Sequence, residues 1–249
     1  MLVQEERRTI ALKGPKVHGI KANLNLSDPW FIFPVEWTNA ALILALMSIC
    51  MVLALFAYLN YRTQKPYFSL WINAWFFYAV YLAAAIGLQE SPNTPALVMA
   101  RRSCIGLSAL FMFSGSFYLT GRPRSTKELK MGILMIILWS AVAAFNVRDR
   151  FWITMPVFAL LASAGVYTGV AHLMRRKTHE GATILGVGFV LWGANLIAFP
   201  WMERSQALMT LGYFGTAVLT IMIVIGMIVE REVTVAAPSE NPALHLIQP

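Results

Sequence analysis

Residues 37–61 read WTNAALILALMSICMVLALFAYLNY, a run of 25 residues without Asp, Glu, Lys or Arg. About 20 apolar residues are enough to cross the hydrocarbon core of a bilayer, which is about 30 Å thick. Inside hydrocarbon the backbone N–H and C=O groups must find partners within the segment itself. The run is therefore predicted to form a transmembrane helix.

Six further runs of this kind follow, at 66–89, 103–121, 131–147, 151–174, 181–202 and 205–229. The chain is 58% hydrophobic and 13% charged, whereas soluble domains average about 25% charged residues. We expect an all-α fold, a polytopic integral membrane protein whose bundle of seven transmembrane helices occupies residues 37–230. Residues 1–36 would form an extracytoplasmic tail, and residues 231–249 a short disordered cytoplasmic tail.

The loops between the runs differ in their content of Lys and Arg, which are concentrated on the cytoplasmic side of membrane proteins. One side carries ten: Arg62, Lys65, Arg122, Arg124, Lys127, Lys130, Arg175, Arg176, Lys177 and Arg231. The other side carries five: Arg101, Arg102, Arg148, Arg150 and Arg204. This asymmetry predicts an outside amino terminus and a cytoplasmic carboxyl terminus. The net charge of +8 is scattered over short loops, so we expect no binding of nucleic acid.

The segment 27–37, SDPWFIFPVEW, is rich in aromatic residues just before the first run. Aromatic side chains are favoured at the interface between bilayer and water. The segment is thus predicted to anchor the chain at the outer interface, and a lid over a ligand site is the alternative.

The predicted spans contain no Asp, Glu, Lys or Arg, and their single histidine, His172, is three residues from the Arg175–Arg176 pair. Intramembrane ionisable residues usually mark ion paths and cofactor counter-ions. Haem would require a histidine at membrane depth, and a retinal Schiff base would require a lysine in the last span. We therefore expect neither catalysis nor a bound cofactor or metal.

Amides and aromatic rings are the remaining candidates for contact with a ligand or partner. Asn73 and Asn195 lie in the middle of spans, where an amide must find a hydrogen-bond partner. Trp71 and Trp75 share one helical face with Phe68 and Tyr78. Packing is one interpretation of these residues, between helices or, for the aromatic face, against lipid. The wall of an apolar ligand pocket is the other.

The sixth span contains a proline that should shape the helix. Pro200 lacks an N–H donor, so the helix is expected to kink or end near Phe199. A ligand site or hinge, if one exists, is expected around Trp192, Asn195 and the facing stretch 73–75.

Four stretches carry a resemblance to a known family: LWGANLIAFPWM at 191–202, LGYFG at 211–215, IGMIVE at 225–230 and FYLTGRPR at 117–124. Over residues 38–230 the chain resembles the seven-helix membrane input module of bacterial sensor histidine kinases and diguanylate cyclases. The sixth helix of that family often reads Trp-Gly, a polar residue and an aromatic–Pro pair. The matching residues are Trp192, Gly193, Asn195, Phe199 and Pro200.

The resemblance implies a sensory role in a bacterial cytoplasmic (inner) membrane, yet the sequence contains no kinase or cyclase motif. Two functions follow as expectations. The first is a non-catalytic, receptor-like sensory module that passes a signal to a partner protein. The second is an accessory or structural subunit of a larger membrane complex, of respiratory or photosynthetic type. The expected partners are the lipid bilayer and either other membrane subunits or a second copy of the chain. A small transporter is a weaker alternative, because it would need a polar pathway through the spans.

Overall fold

The computed structural model describes residues 35–90, 95–122, 125–146, 150–175 and 181–236, and within these ranges the chain forms seven α-helices. The helices are α1 (Val35–Thr63), α2 (Pro66–Glu90), α3 (Pro95–Leu119), α4 (Thr126–Asn146), α5 (Arg150–Met174), α6 (Ala182–Met202) and α7 (Gln206–Ala236). The all-α class predicted from the sequence is confirmed. The aromatic segment 27–37 lies outside the described residues except for its last three, which open α1.

Six of the described helices are long and apolar enough to cross a membrane by length and composition, namely α1, α2, α3, α5, α6 and α7. The remaining helix, α4, has Lys127, Glu128 and Lys130 among its first five residues. Its apolar part is correspondingly short. The structure thus supports a multi-pass membrane protein with six apolar spans and one further helix.

The six apolar helices form a closed ring. Going round it, α1 packs on α2, α2 on α3, α3 on α5, α5 on α6, α6 on α7, and α7 on α1. The remaining helix, α4, packs on α3, outside this ring. Large apolar side chains such as Leu134 and Leu138 are exposed on α4, as expected for a surface that faces lipid.

Aromatic side chains fill the interior of the ring. The buried ones include Trp71, Trp75, Tyr78, Tyr81, Phe158, Phe189, Trp192, Phe199 and Tyr213. The predicted aromatic face of the second helix does point inward, with Trp71, Trp75 and Tyr78 buried. Aromatic pairs with ring centroids about 4.5–7 Å apart add stability beyond the area they bury, so this core ties opposite sides of the ring together.

Glycines allow α5 and α6 to approach each other closely. A Cβ atom on Gly169 would lie 2.5 Å from the carbonyl oxygen of Gly186, and one on Gly193 would lie 2.7 Å from that of Ala162. Contacts this short leave no room for a side chain. The glycine-bearing face of α5 is therefore a packing surface.

The helix ends follow local rules. Pro66 and Pro95 are the first residues of α2 and α3, a position where the missing N–H of proline is not needed. Gly121 follows α3 with φ of +75°, the left-handed conformation that glycine adopts readily after a helix. Helix α6 ends at Met202, two residues after Pro200. Helix α7 continues to Ala236, six residues into the predicted tail, and residues 237–249 lie outside the described residues.

One boundary differs from the prediction in a way that matters for function. Helix α3 begins at Pro95 rather than at 103, so Arg101 and Arg102 lie within the helix instead of in a loop. The apolar residues 96–100 form its first turns, which lets the span begin before the arginines. The expectation that no charged side chain lies within a span is therefore wrong for α3, whose apolar span is Ala96–Leu119.

Candidate functional site at one end of the ring

An ion pair joins α3 to the turn between α6 and α7. The Nη2 atom of Arg101 lies 2.8 Å from Oε1 of Glu203, and both side chains are largely enclosed, at 23% and 20% exposure. Arg101 is six residues into α3, about 9 Å along the helix from its first residue. Arg101 lies near the start of the apolar span Ala96–Leu119, and charged side chains within a span are rare and commonly functional. We call this end of the ring the Arg101 end, and the opposite one the His172 end.

Tyr81 of α2 lies beside the same guanidinium group. Nη2 of Arg101 donates to the Tyr81 hydroxyl at 3.5 Å, and the guanidinium carbon lies 5.3 Å from the centre of the Tyr81 ring. A cation over an aromatic face is attracted by the negative charge of the π system. Arg101 thus connects three parts of the ring: α2, α3 and the turn after α6.

A cavity of about 510 Å³ opens around this cluster. Its polar wall includes Arg101, Arg102, Glu203 and Arg204. Its apolar wall is formed by Leu42, Ala85, Leu88, Val98, Ile105, Phe151, Phe158, Pro200 and Met209. Ligand sites usually measure about 300–1,000 Å³ and combine a mostly apolar lining with a few polar groups. The cavity has both properties.

Arginines outnumber acidic side chains along the described wall of the cavity. Among the described residues that line it, three are arginines and one is a glutamate. The guanidinium carbon of Arg204 lies 5.0 Å from the centre of the Phe151 ring, which holds this side chain at the cavity wall. The described wall is consequently positive and favours an anion.

Aromatic contacts lead from the cavity into the core. Tyr81 stacks on Tyr78 with ring centres 5.5 Å apart, and Tyr78 contacts Trp192 at 5.4 Å. Trp192 lies 5.0 Å from Trp75. Through Phe189 the contacts reach His172 at the other end, whose ring stacks on Phe189 at 6.2 Å. A continuous column of aromatic side chains therefore runs from the Arg101 end of the helix bundle to the His172 end.

The structure brings together some of the candidates named from the sequence. Trp71, Trp75 and Trp192 are buried in the core, and their indole N–H groups have no acceptor within the described part of the chain. Phe199 stacks on Phe158 at 5.4 Å, and Pro200 lines the cavity. Trp75 and Trp192 thus belong to the aromatic column, Trp71 contacts it at His172 and Phe189, and Phe199 and Pro200 lie beside the cavity.

The two asparagines have different environments. Nδ2 of Asn195 donates to the carbonyl oxygen of Gly212 at 3.1 Å and to Oγ1 of Thr216 at 3.0 Å, so it joins α6 to α7. Asn73 is exposed, and its amide donates to the Ser69 carbonyl of its own helix at 2.9 Å. Asn73 thus does not face Asn195 or Trp192 across the core.

These two amides make a matched test. Asn195→Leu should leave membrane insertion intact and destabilise the bundle by about 1 kcal/mol, since interhelical hydrogen bonds in membranes average about 0.6 and reach about 1.7 kcal/mol. Asn73→Leu should change stability by less than about 0.5 kcal/mol. Unfolding of both purified variants in mixed micelles of dodecyl sulfate and a neutral detergent measures the difference. Equal losses would contradict the assigned role of Asn195.

Sequence reasoning missed Arg101, Glu203 and Tyr81 as a cluster. The arginines were counted as loop residues, because a charge normally marks the end of an apolar run. A partial signal was available: Pro95 followed by ALVMA is a good start for a helix that precedes Arg101. The partner, Glu203, is 102 residues away in sequence, and no local pattern identifies it.

Within the described ranges, no group of three or more His, Cys, Asp or Glu side chains is placed so that it could hold a metal ion. Cys50 is exposed and Cys104 is buried, and both are free thiols. No protein-family model, no curated protein and no solved structure matches this chain.

Proposed function

We propose that this protein is a non-catalytic, receptor-like sensory module of a membrane, which takes up a stimulus at the Arg101 end and passes it to a partner protein. The observation that carries the proposal is the cavity built around the Arg101–Glu203 pair. A structural helix bundle has no need of a partly enclosed ion pair beside a cavity of ligand size. The resemblance of residues 38–230 to sensor input modules points the same way.

The position of the pair suggests how a stimulus is transmitted. Glu203 caps α6, and its backbone N–H donates to the Phe199 carbonyl. A ligand that binds Arg101 competes with Glu203 and so acts on the ends of α6 and α7. Both helices run to the His172 end, and the column of aromatic rings connects the same two ends. A shift at the cavity is transmitted along packed helices to the opposite membrane surface.

The proposal includes an orientation. All seven helices, including α4, would span a bacterial cytoplasmic membrane, with the amino terminus outside and the carboxyl terminus in the cytoplasm. The ten-to-five distribution of Lys and Arg supports this arrangement. The Arg101 end would then face the extracytoplasmic space, where a receptor meets its stimulus.

Cysteine labelling tests this orientation. In a Cys50→Ala, Cys104→Ala background, a membrane-impermeant maleimide should label Ser205→Cys in intact cells and label Thr126→Cys only after the membrane is opened. Both positions lie at helix ends, Ser205 at the Arg101 end and Thr126 at the His172 end. Labelling of Thr126→Cys in intact cells, with protection of Ser205→Cys, would reverse the topology.

Purification with native partners tests the sensory role. Wild type and Glu203→Gln, isolated from their own membranes in mild detergent, should recover the same signalling protein, and its output activity should differ between the two preparations. Arg122→Gln, which alters an exposed residue at the His172 end, serves as the control for a change of charge. A signalling output that is identical in all three preparations would overturn the proposal.

The alternative function, an accessory subunit of a larger membrane complex, gives a different result in the same experiment. The protein would then co-purify in fixed stoichiometry with respiratory or photosynthetic subunits. The exposed apolar surface of α4 would supply a contact for such neighbours. Lipid covers such a surface equally well, so we favour the sensory role.

A further inference from the structure

We infer that the cavity at the Arg101 end binds an amphiphilic anion, with a carboxylate or phosphate head held by arginines and an apolar tail held among the helices. The inference deepens the proposed function and rests on it for its biological meaning, because it names the class of stimulus. The binding itself depends on the cavity alone.

The charge of the described wall selects the head group. Arg101, Arg102 and Arg204 line the cavity with Glu203 as the only acidic residue among the described lining residues. Hydrogen bonds between guanidinium groups and carboxylate or phosphate are stronger than neutral ones, and the planar fork of arginine fits two oxygens at once. A cationic ligand would meet repulsion from Arg101 and Arg204, and a neutral one could not form a charge-assisted hydrogen bond with either of them.

The apolar wall selects the tail. Ile105 lies one helical turn deeper in α3 than Arg101, and Phe158 lies one turn deeper in α5 than Thr154. Both side chains are buried in the core. A ligand with its head at the arginines therefore directs the rest of its body toward apolar side chains. Burial of each methylene group there contributes about 0.8 kcal/mol.

Glu203 occupies part of this site from within the protein. Its carboxylate lies 2.8 Å from Arg101, in the position that a ligand oxygen would take. A bound anion and Glu203 thus compete for the same guanidinium group. Removal of the Glu203 charge should therefore strengthen the binding of an anion. If Glu203 only maintained the shape of the cavity, its replacement would weaken binding.

Equilibrium dialysis with radiolabelled decanoate tests the inference on the purified full chain in a neutral maltoside detergent, with protein-free micelles as the blank. We expect saturable binding of decanoate. Decanol and decyltrimethylammonium, with the same tail, should compete at least about tenfold more weakly, as expected for loss of a charge-assisted hydrogen bond. Acetate should compete poorly because it lacks the tail. Equal competition by decanol and decanoate would overturn the inference.

Four variants locate the site. Arg204→Gln, an exposed residue whose replacement should leave the fold intact, is expected to weaken decanoate binding about tenfold. Arg101→Gln should weaken it at least as much. Glu203→Gln should strengthen it about threefold or more, and Arg122→Gln at the opposite end should leave it unchanged. Unaltered binding by Arg204→Gln, or weaker binding by Glu203→Gln, would overturn the assignment.

The anion could come from the bilayer or from solution, and nanodiscs distinguish the two sources. In nanodiscs of phosphatidylcholine, decanoate should bind as it does in detergent. If added phosphatidylglycerol displaces decanoate, the site takes the head group and chain of an anionic lipid. If it does not, the site takes a free single-chain anion. Absence of saturable decanoate binding in both detergent and neutral nanodiscs would overturn the inference.

The outcomes separate this inference from the proposed function. If the partner's output depends on Glu203 but the protein does not bind decanoate, the protein is a sensor whose stimulus belongs to another chemical class. If the protein binds decanoate but the partner's output is the same for Glu203→Gln as for wild type, the protein is a lipid-binding subunit and the sensory role is excluded.

Discussion

Gly169→Ala should lower the free energy of unfolding by roughly 2–3 kcal/mol, the upper part of the range for overpacked cores. The added Cβ atom would lie 2.5 Å from the Gly186 carbonyl oxygen and 2.9 Å from the Val190 backbone nitrogen. These neighbours are backbone atoms, which cannot rotate away, so α5 and α6 would have to separate. Their separation would also disturb Trp192, which packs against Gly165 one turn away.

Gly87→Ala is the matched control for this prediction. It makes the same change within α2, but its Cβ atom would lie 3.8 Å from Leu97, an ordinary contact. Because alanine favours helix over glycine by about 1 kcal/mol, the control should be neutral or slightly stabilising. Unfolding of both variants in dodecyl sulfate mixed micelles measures the difference. Equal stability of the two variants would mean that α5 and α6 do not approach each other as described.

Arg101→Leu and Glu203→Leu should each destabilise the protein by roughly 2 kcal/mol, and the double variant should lose less than the sum. Breaking a fully buried pair costs about 3–5 kcal/mol, because one charge is left uncompensated. The expected loss is smaller here, since both side chains retain some exposure, at 23% and 20%. Replacing both residues removes both charges, and the two apolar side chains can then pack at the cavity wall.

The double-mutant cycle isolates the interaction between the two residues. Contacting residues typically give coupling energies of about 0.5–3 kcal/mol, and we expect about 1–2 kcal/mol here. Arg122→Leu combined with Glu203→Leu is the control cycle. These two residues lie at opposite ends of the bundle, so their losses in free energy of unfolding should add. Additive losses for Arg101 and Glu203 would show that the interaction between the two side chains contributes nothing to stability.

The helices themselves could be predicted from the sequence, because hydrocarbon forces an uninterrupted apolar run to satisfy its own backbone. Six of the predicted spans agree with apolar helices in the structure. The shared aromatic face of α2 was also predictable from its spacing, but not its direction, and the structure shows that Trp71, Trp75 and Tyr78 point inward. The contact of glycines between α5 and α6 follows from the same kind of local spacing.

The candidate site could be predicted only in part, for two physical reasons. A side chain that faces lipid is as apolar as one that faces the core, so the sequence does not show which asparagine points inward. Asn73 and Asn195 look alike in sequence, yet only Asn195 bonds to another helix. In addition, a charge is tolerated inside a span when a distant residue compensates it. Arg101 has such a partner in Glu203, but a span drawn to exclude every charged residue leaves Arg101 outside.

The closure of the ring has a consequence for how the protein is made. Helix α1 packs on α7, and Oγ1 of Thr38 lies 2.7 Å from Oγ1 of Thr210, which is 172 positions later in the chain. At a synthesis rate of about 5–20 residues per second, α1 enters the membrane roughly 10–35 s before its last neighbour exists. During that interval one side of α1 and the Thr38 hydroxyl can contact only lipid or the proteins that assist membrane insertion. The newborn chain is thus most vulnerable to premature degradation before its final helix is translated, and shortening the chain from the carboxyl end into α7 should leave an open, short-lived protein.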